Sequence, residues 1–153
     1  MKFLLSMWLA FAIGAQAGGL EFPEMIKEIH APVDAVTVTA DFNFTNKTEK
    51  AVTISKSDGG CSCMKVQVSE GKLKYAPGES GVVRATFEMG NFSGTVDKMI
   101  GIWLNDDPPS EPSLKLTVRV HIPILIGLEP KTLQWNIDDK VESKVIKIQM
   151  AEG

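Results

Sequence analysis

The chain has 153 residues, with 16 Lys and Arg against 19 Asp and Glu and a formal net charge of −3. An acidic balance excludes nucleic acid as a partner, because neutralising phosphates takes clustered cations. The densest basic stretch, KVESKVIK (140–147), alternates its lysines with Val, Glu and Ile like a strand with one wetted face. The length supports one core of ordinary size and not two complete domains.

The N-terminus reads MKFLLSMWLAFAIGAQAGG. Lys2 is a short basic region, residues 3–13 are apolar, and Ala15, Gln16 and Ala17 form the small-x-small pattern cut by signal peptidase. An apolar run this short falls below the roughly 20 residues of a stable membrane span. Residues 1–17 are therefore expected to be a cleaved signal peptide and the protein to be exported, periplasmic or secreted. No cysteine at the cleavage point offers a lipid anchor, and no membrane span is expected after cleavage. Residues 18–35 are read as an N-terminal lead-in, because period-two alternation dominates only from Val36 onward.

VTVTADFNF (36–44) sets Val36, Val38, Ala40, Phe42 and Phe44 on one face and Thr37, Thr39, Asp41 and Asn43 on the other. That is a strand packed on one side and solvated on the other. NKTEK (46–50) is a turn, and AVTIS (51–55) returns with Val52 and Ile54 inward. After SDGGCSCMK (57–65), KVQVS (65–69) and KLKY (72–75) are short pieces flanking Gly71. APGESG (76–81) is a turn, with Pro77 suited to its second position and Gly78 tolerating positive φ. VVRATF (82–87) turns Val83, Ala85 and Phe87 inward, and MGNFSG (89–94) is a loop.

DKMIGIWLN (97–105) is apolar on both faces, as a central strand would be, and Trp103 is expected in the core rather than as a ligand platform. DDPPSEP (106–112) reads as a proline-rich turn rather than a calcium loop built from Asp106, Asp107 and Glu111. LKLTVRVHI (114–122) alternates most cleanly: Leu114, Leu116, Val118, Val120 and Ile122 inside, Lys115, Thr117, Arg119 and His121 outside. Short strands with turn signals every 8 to 12 residues and almost no helical spacing predict an antiparallel β-sandwich. It is placed over 36–127. Beyond it, residues 128–153 contain two further strand-like pieces, TLQWNI (132–137) and SKVIKIQM (143–150); two strands alone are marginally stable.

Taken in order, FNFTN (42–46), the C-x-C of Cys61 and Cys63, PGESG (77–81), LND (104–106) and LKLTVRV (114–120) resemble the exported bacterial family catalogued as domain of unknown function 1573. The resemblance covers about 36–120 and implies an immunoglobulin-like sandwich of about seven strands, similar to pilus-chaperone and sperm-protein-like domains, in secreted or periplasmic proteins with no established activity. The family pattern around the cysteines is Cys-Gly-Cys-Thr, where this chain has Ser62 and Met64. Relatives often continue into a second module. LEP (128–130) and LQW (133–135) resemble the start of one, truncated early.

Cys61 and Cys63 are the two cysteines of the chain. Export favours a disulfide, but residues two apart on a flat strand lie near the upper limit of disulfide Cα separation, so the segment must turn; Asp58, Gly59 and Gly60 make a turn plausible. Closing a three-residue loop removes only about 1.6 kcal/mol of unfolded-chain entropy, which makes a poor staple. A second reading is soft-metal binding: Cys61, Cys63 and Met64 offer sulfur to copper or zinc, although a structural zinc site takes four ligands and the chain has only two histidines, His30 and His121. Nucleophilic chemistry would need a base and a lowered thiol pKa, and no such setting is visible. Plain packing is the fourth reading. Three glycosylation-like triplets, at Asn43, Asn46 and Asn91, are taken as chance.

The functional expectation is therefore a non-catalytic binding or structural module of the cell envelope, not an enzyme and without a resident cofactor. Its partner would be a protein, engaged by strand addition at a sheet edge, with KIQM (147–150) a candidate for pairing with its own domain or another. The alternative is a thiol-redox or copper-binding domain working through Cys61, Cys63 and Met64.

Overall fold

The computed structural model describes residues 16–17, 19–105, 107–138, 140 and 142–150. The expected signal segment lies outside the described residues except for Gln16 and Ala17, as does Asp106. In chain order the strands are β1 (Gln16–Ala17), β2 (Leu20–Glu21), β3 (Ile26–His30), β4 (Thr37–Asn46), β5 (Val52–Asp58), β6 (Met64–Val68), β7 (Lys74–Tyr75), β8 (Ser80–Glu88), β9 (Gly94–Leu104), β10 (Leu114–Ile122), β11 (Ile126–Glu129) and β12 (Lys147–Met150). A 3-10 turn, Ser69–Gly71, is the helical element among the described residues.

Two five-stranded sheets, β1-β2-β4-β8-β6 and β3-β10-β9-β5-β7, stack face to face as an immunoglobulin-like β-sandwich. The alternation read from the sequence fixes which side chains meet between them. Val38, Ala40, Phe42 and Phe44 of β4 and Val83, Ala85 and Phe87 of β8 face Ile54 of β5, Ile100, Ile102 and Leu104 of β9 and Leu114, Leu116, Val118 and Val120 of β10, all buried. Each buried Leu, Ile or Phe contributes about 1.5–3 kcal/mol. Phe44 holds the centre of an aromatic cluster, with Phe22 at 5.3 Å and Tyr75 edge-on at 4.8 Å.

The turns that carry the family resemblance do backbone work at one end of this core. Asn46 is fully buried. Its amide donates to the carbonyls of Lys50 (2.8 Å) and Tyr75 (3.0 Å), and its Oδ1 accepts from the backbone N–H and hydroxyl of Thr48. The Asn46-Lys47-Thr48 triplet is thus an internal cap, with no amide left for a glycan. In PGESG, Gly78 has φ +76 and the Glu79 N–H donates to the Ala76 carbonyl, the turn expected from Pro77 and Gly78. Gly81 lies where a Cβ would fall 2.5 Å from the Phe44 ring and 2.6 Å from Tyr75, so only glycine lets β8 approach the aromatic cluster.

Several expectations need correction. The lead-in at 18–35 supplies core residues: Leu20 and Phe22 are buried. It also supplies β3, which runs parallel to β10 with Ile26 beside Thr117 and His30 beside His121. A parallel pair needs a long connection, so nothing local announces it. Trp103 is not in the core. Ile100, Ile102 and Leu104 take the inward positions of β9, which puts Trp103 on the outer face. Val36 is exposed, one residue before β4 begins. TLQWNI forms no strand; Trp135 instead donates to the Glu142 carbonyl across a local loop. KIQM pairs antiparallel with β11 of its own chain as a separate two-stranded ribbon.

Candidate functional site

The outer face of the β3-β10-β9-β5-β7 sheet is a lattice whose rows follow from the register. Trp103 lies beside Lys56, and Gly101 lies between Lys115 and Asp58. Below them come Ile26, Thr117 and Met99, then Glu28, Arg119 and Asp97, then His30, His121 and Thr95. A register shift between Ile54 and Lys56 sets Lys56 opposite Trp103.

At the upper end the Trp103 ring folds back over Gly101, where a Cβ would sit 2.7 Å from two ring carbons. Lys56 Nζ covers the ring at 4.4 Å from its centroid, a cation–π contact. The indole Nε1 is buried without a hydrogen-bond partner among the described residues. A cleft opens over this ring, walled by Met99, Pro112 and Lys115 and closed by the Asp58, Gly59, Gly60 and Cys61 corner.

That corner is the β5–β6 connection. Gly60 adopts φ +72, and its N–H donates to Asp58 Oδ1 at 2.8 Å. The Met64 N–H donates to the Cys61 carbonyl, completing the turn that brings the cysteine Cα atoms to 5.2 Å. Cys61 and Cys63 are bonded to each other. Cys61 is exposed on the rim, whereas Met64 is buried in the core. A copper site there would first require the disulfide to be reduced.

The face's acids are engaged. Asp58 is held below the ordinary carboxylate range by the Gly60 N–H and then by Lys56. Asp97 is lowered by the Arg119 guanidinium, which reaches both its oxygens at 2.8 and 2.7 Å. Asp107, in the proline-rich turn, accepts from the backbone N–H groups of Leu104 and Ser113 and from the Ser113 hydroxyl, which hold its pKa down. It shapes the loop that carries Pro112.

At the lower end the structure joins residues that the sequence kept apart. His30 and His121 stack with ring centroids 4.4 Å apart. His121 Nε2 lies 2.5 Å from Glu28 Oε1, and its Nδ1 lies 3.0 Å from Thr95 Oγ1. The alternation of β10 places His121 on the outer face, as observed, but assigns His30 no neighbour.

An all-β immunoglobulin-like sandwich with this order of motifs defines the class of protein. The model of the family described as protein of unknown function (DUF1573) matches residues 20–120, and the chain belongs to that family. Among solved structures, the chain is similar to a protein of unknown function from Porphyromonas gingivalis W83, at 16% identity and TM-score 0.56, covering 73% of this chain and 50% of that one. It is also similar to the VesB protease of Vibrio cholerae, at 16% identity and TM-score 0.51, covering 70% of this chain and 32% of that one. The ASH/PapD-like domain 7 of human CEP192 aligns at 11% identity and TM-score 0.44, over 80% of this chain and 97% of that domain. The chain thus spans half or less of the first two, and the likeness is one of fold. No curated protein matches the chain.

Proposed function

We propose that this chain is an exported, non-catalytic binding module of the cell envelope, holding a protein partner on the outer face of the β3-β10-β9-β5-β7 sheet. The observation that carries this reading is the Cys61–Cys63 corner closing on the apolar cleft over Trp103 and Gly101. The other motifs of the family resemblance are accounted for by turns and close packing. This one is not, because so small a ring stabilises the fold by only about 1.6 kcal/mol. Its effect is on shape: it holds the cleft's rim.

Trp and Met are residue types that interface centres favour, and Met99 stands 59% exposed beside the ring. Moving the indole towards an arriving partner recovers a hydrogen bond for Nε1 rather than losing one. Export is supported by the signal pattern of residues 1–17 and by an oxidised cysteine pair, which suits an oxidising compartment. A bonded pair offers no thiolate nucleophile, which supports a binding role over a catalytic one. For a partner that adds a strand, β3 and β6 are five-residue strands at sheet ends.

The test is capture from the native envelope by tagged mature chain, comparing wild type with Met99→Asp, Gly101→Val and, on the opposite sheet, Arg84→Leu. A discrete partner should be held by wild type and Arg84→Leu and weakened at least about tenfold by the first two variants. Capture that survives both would remove this face from the function. No capture by any form would end the binding reading.

A further inference from the structure

We propose that Glu28, His30 and His121 bind a divalent transition ion of the zinc or copper(II) class, clamping strand β3 to β10. The parallel register sets His30 directly beside His121, with Glu28 two residues earlier on the same face. One ligand atom from each of the three lies within 4.8 Å of the others. Two imidazoles and a carboxylate form a donor set suited to zinc, copper, nickel or iron. Ligands held about 2.0–2.2 Å from one ion stand roughly 3.3 Å from each other. His121 and Glu28 must therefore move slightly apart and His30 slightly closer, which half-buried and exposed side chains do by rotamer adjustment.

Thr95 is the second observation. A metal-bound imidazole commonly has its other ring nitrogen fixed by a hydrogen bond, which sets its tautomer and orientation. His121 Nδ1 already has that partner in Thr95 Oγ1, at 3.0 Å. Without metal, the tautomer of His121 that donates Nε2–H to Glu28 leaves Nδ1 to accept from the Thr95 hydroxyl. With metal, Nδ1–H donates to Thr95 Oγ1, and the Nε2 lone pair and the Glu28 carboxylate both face the ion. The one cation beside Glu28 in its row, Arg119, is occupied by two bonds to Asp97, so it does not hold Glu28 in the ion's place. A shallow cleft bordered by Gly94, Pro123 and Ile124 adjoins the two histidines and leaves room for water or an incoming ligand on the ion.

The site does not depend on the partner-binding reading. Its direct consequence is mechanical, because the ion would bridge edge strand β3 to its neighbour β10. Binding to the folded state alone raises the unfolding temperature.

The test uses the mature chain stripped with chelator and titrated with Zn²⁺ alone by calorimetry, with thermal unfolding in parallel. The expected result is one ion per chain and a raised Tm. Affinity should fall at least about tenfold in His30→Ala, His121→Ala and Glu28→Gln, and about tenfold in Thr95→Val, whose metal-free Tm should stay near wild type. Electron paramagnetic resonance of the Cu²⁺ form should show coupling to two imidazole nitrogens, reduced to one in His30→Ala. Absence of one-to-one binding up to about millimolar Zn²⁺, where affinity is only about 4 kcal/mol, would overturn the proposal. So would affinity that ignores Glu28→Gln and Thr95→Val, the mark of two ordinary surface histidines.

Discussion

The two outer faces of the sandwich share one backbone logic and hold different kinds of side chain. On the face of β4, β8 and β6, neighbours across the strands satisfy one another. Arg84 donates to both oxygens of Asp41 at 2.8 and 2.7 Å, Thr39 meets Thr86 at 3.3 Å, Thr45 meets Ser80 at 2.9 Å, and Lys65 bonds Glu88 at 2.7 Å. On the face of β3, β10, β9 and β5, the Arg119–Asp97 pair is similar, but around it stand exposed Ile26 and Met99, the indole N–H of Trp103 with no partner among the described residues, the disulfide corner and the stacked histidines. Cross-strand polar pairs of the first kind each contribute a fraction of a kcal/mol and leave little to offer a partner. Groups of the second kind gain on contact. The difference is the ground on which the second face is proposed as the binding surface.

The strongest way to break this contrast is to damage what both faces share. Asn46→Leu leaves the Tyr75 and Lys50 carbonyls without their donor and frees the 46–50 turn. A loss of about 3 kcal/mol is expected by urea denaturation, with both faces lost together. A smaller loss would mean the turn holds itself without its cap.

A smaller effect, confined to the second face, should come from Asp107→Ala, which releases the loop carrying Pro112 at about 1–2 kcal/mol. Because the folded-state pKa of Asp107 is lowered, its stabilisation is fully present above the unfolded value of about 3.9 and is lost as pH falls through the lower folded value. Urea midpoints measured from about pH 5 down to about pH 2 should therefore fall less steeply in Asp107→Ala than in wild type. Parallel slopes would show that this carboxylate does not couple to folding.

The sandwich was legible because most core strands are half-buried. In β4 and β10, polar and apolar side chains alternate with few exceptions, and a period of two is readable without knowing any neighbour. Trp103 was misplaced for a related reason. Counting back from Leu104 puts it outside, but aromatic bulk suggested the core, and the vacancy at Gly101 that lets the ring lie flat is visible only once β9 and β5 are paired. The disulfide corner was half legible: the two glycines announced a turn, while the cleft it closes required Pro112 from the β9–β10 loop and Lys115 from β10. The histidine pair was out of reach. His30 and His121 meet only through a parallel register between an edge strand and its neighbour, and sequence periodicity carries no information about which strands become neighbours.

The contrast between the faces is tested most directly by photo-crosslinking in intact cells, with the photoreactive residue placed at Met99 on one face or at Thr39 on the other. A discrete adduct from position 99, abolished by Gly101→Val, with none from position 39, is the predicted result. Adducts from position 39 alone, or equally from both positions, would contradict the assignment of binding to the face of Trp103.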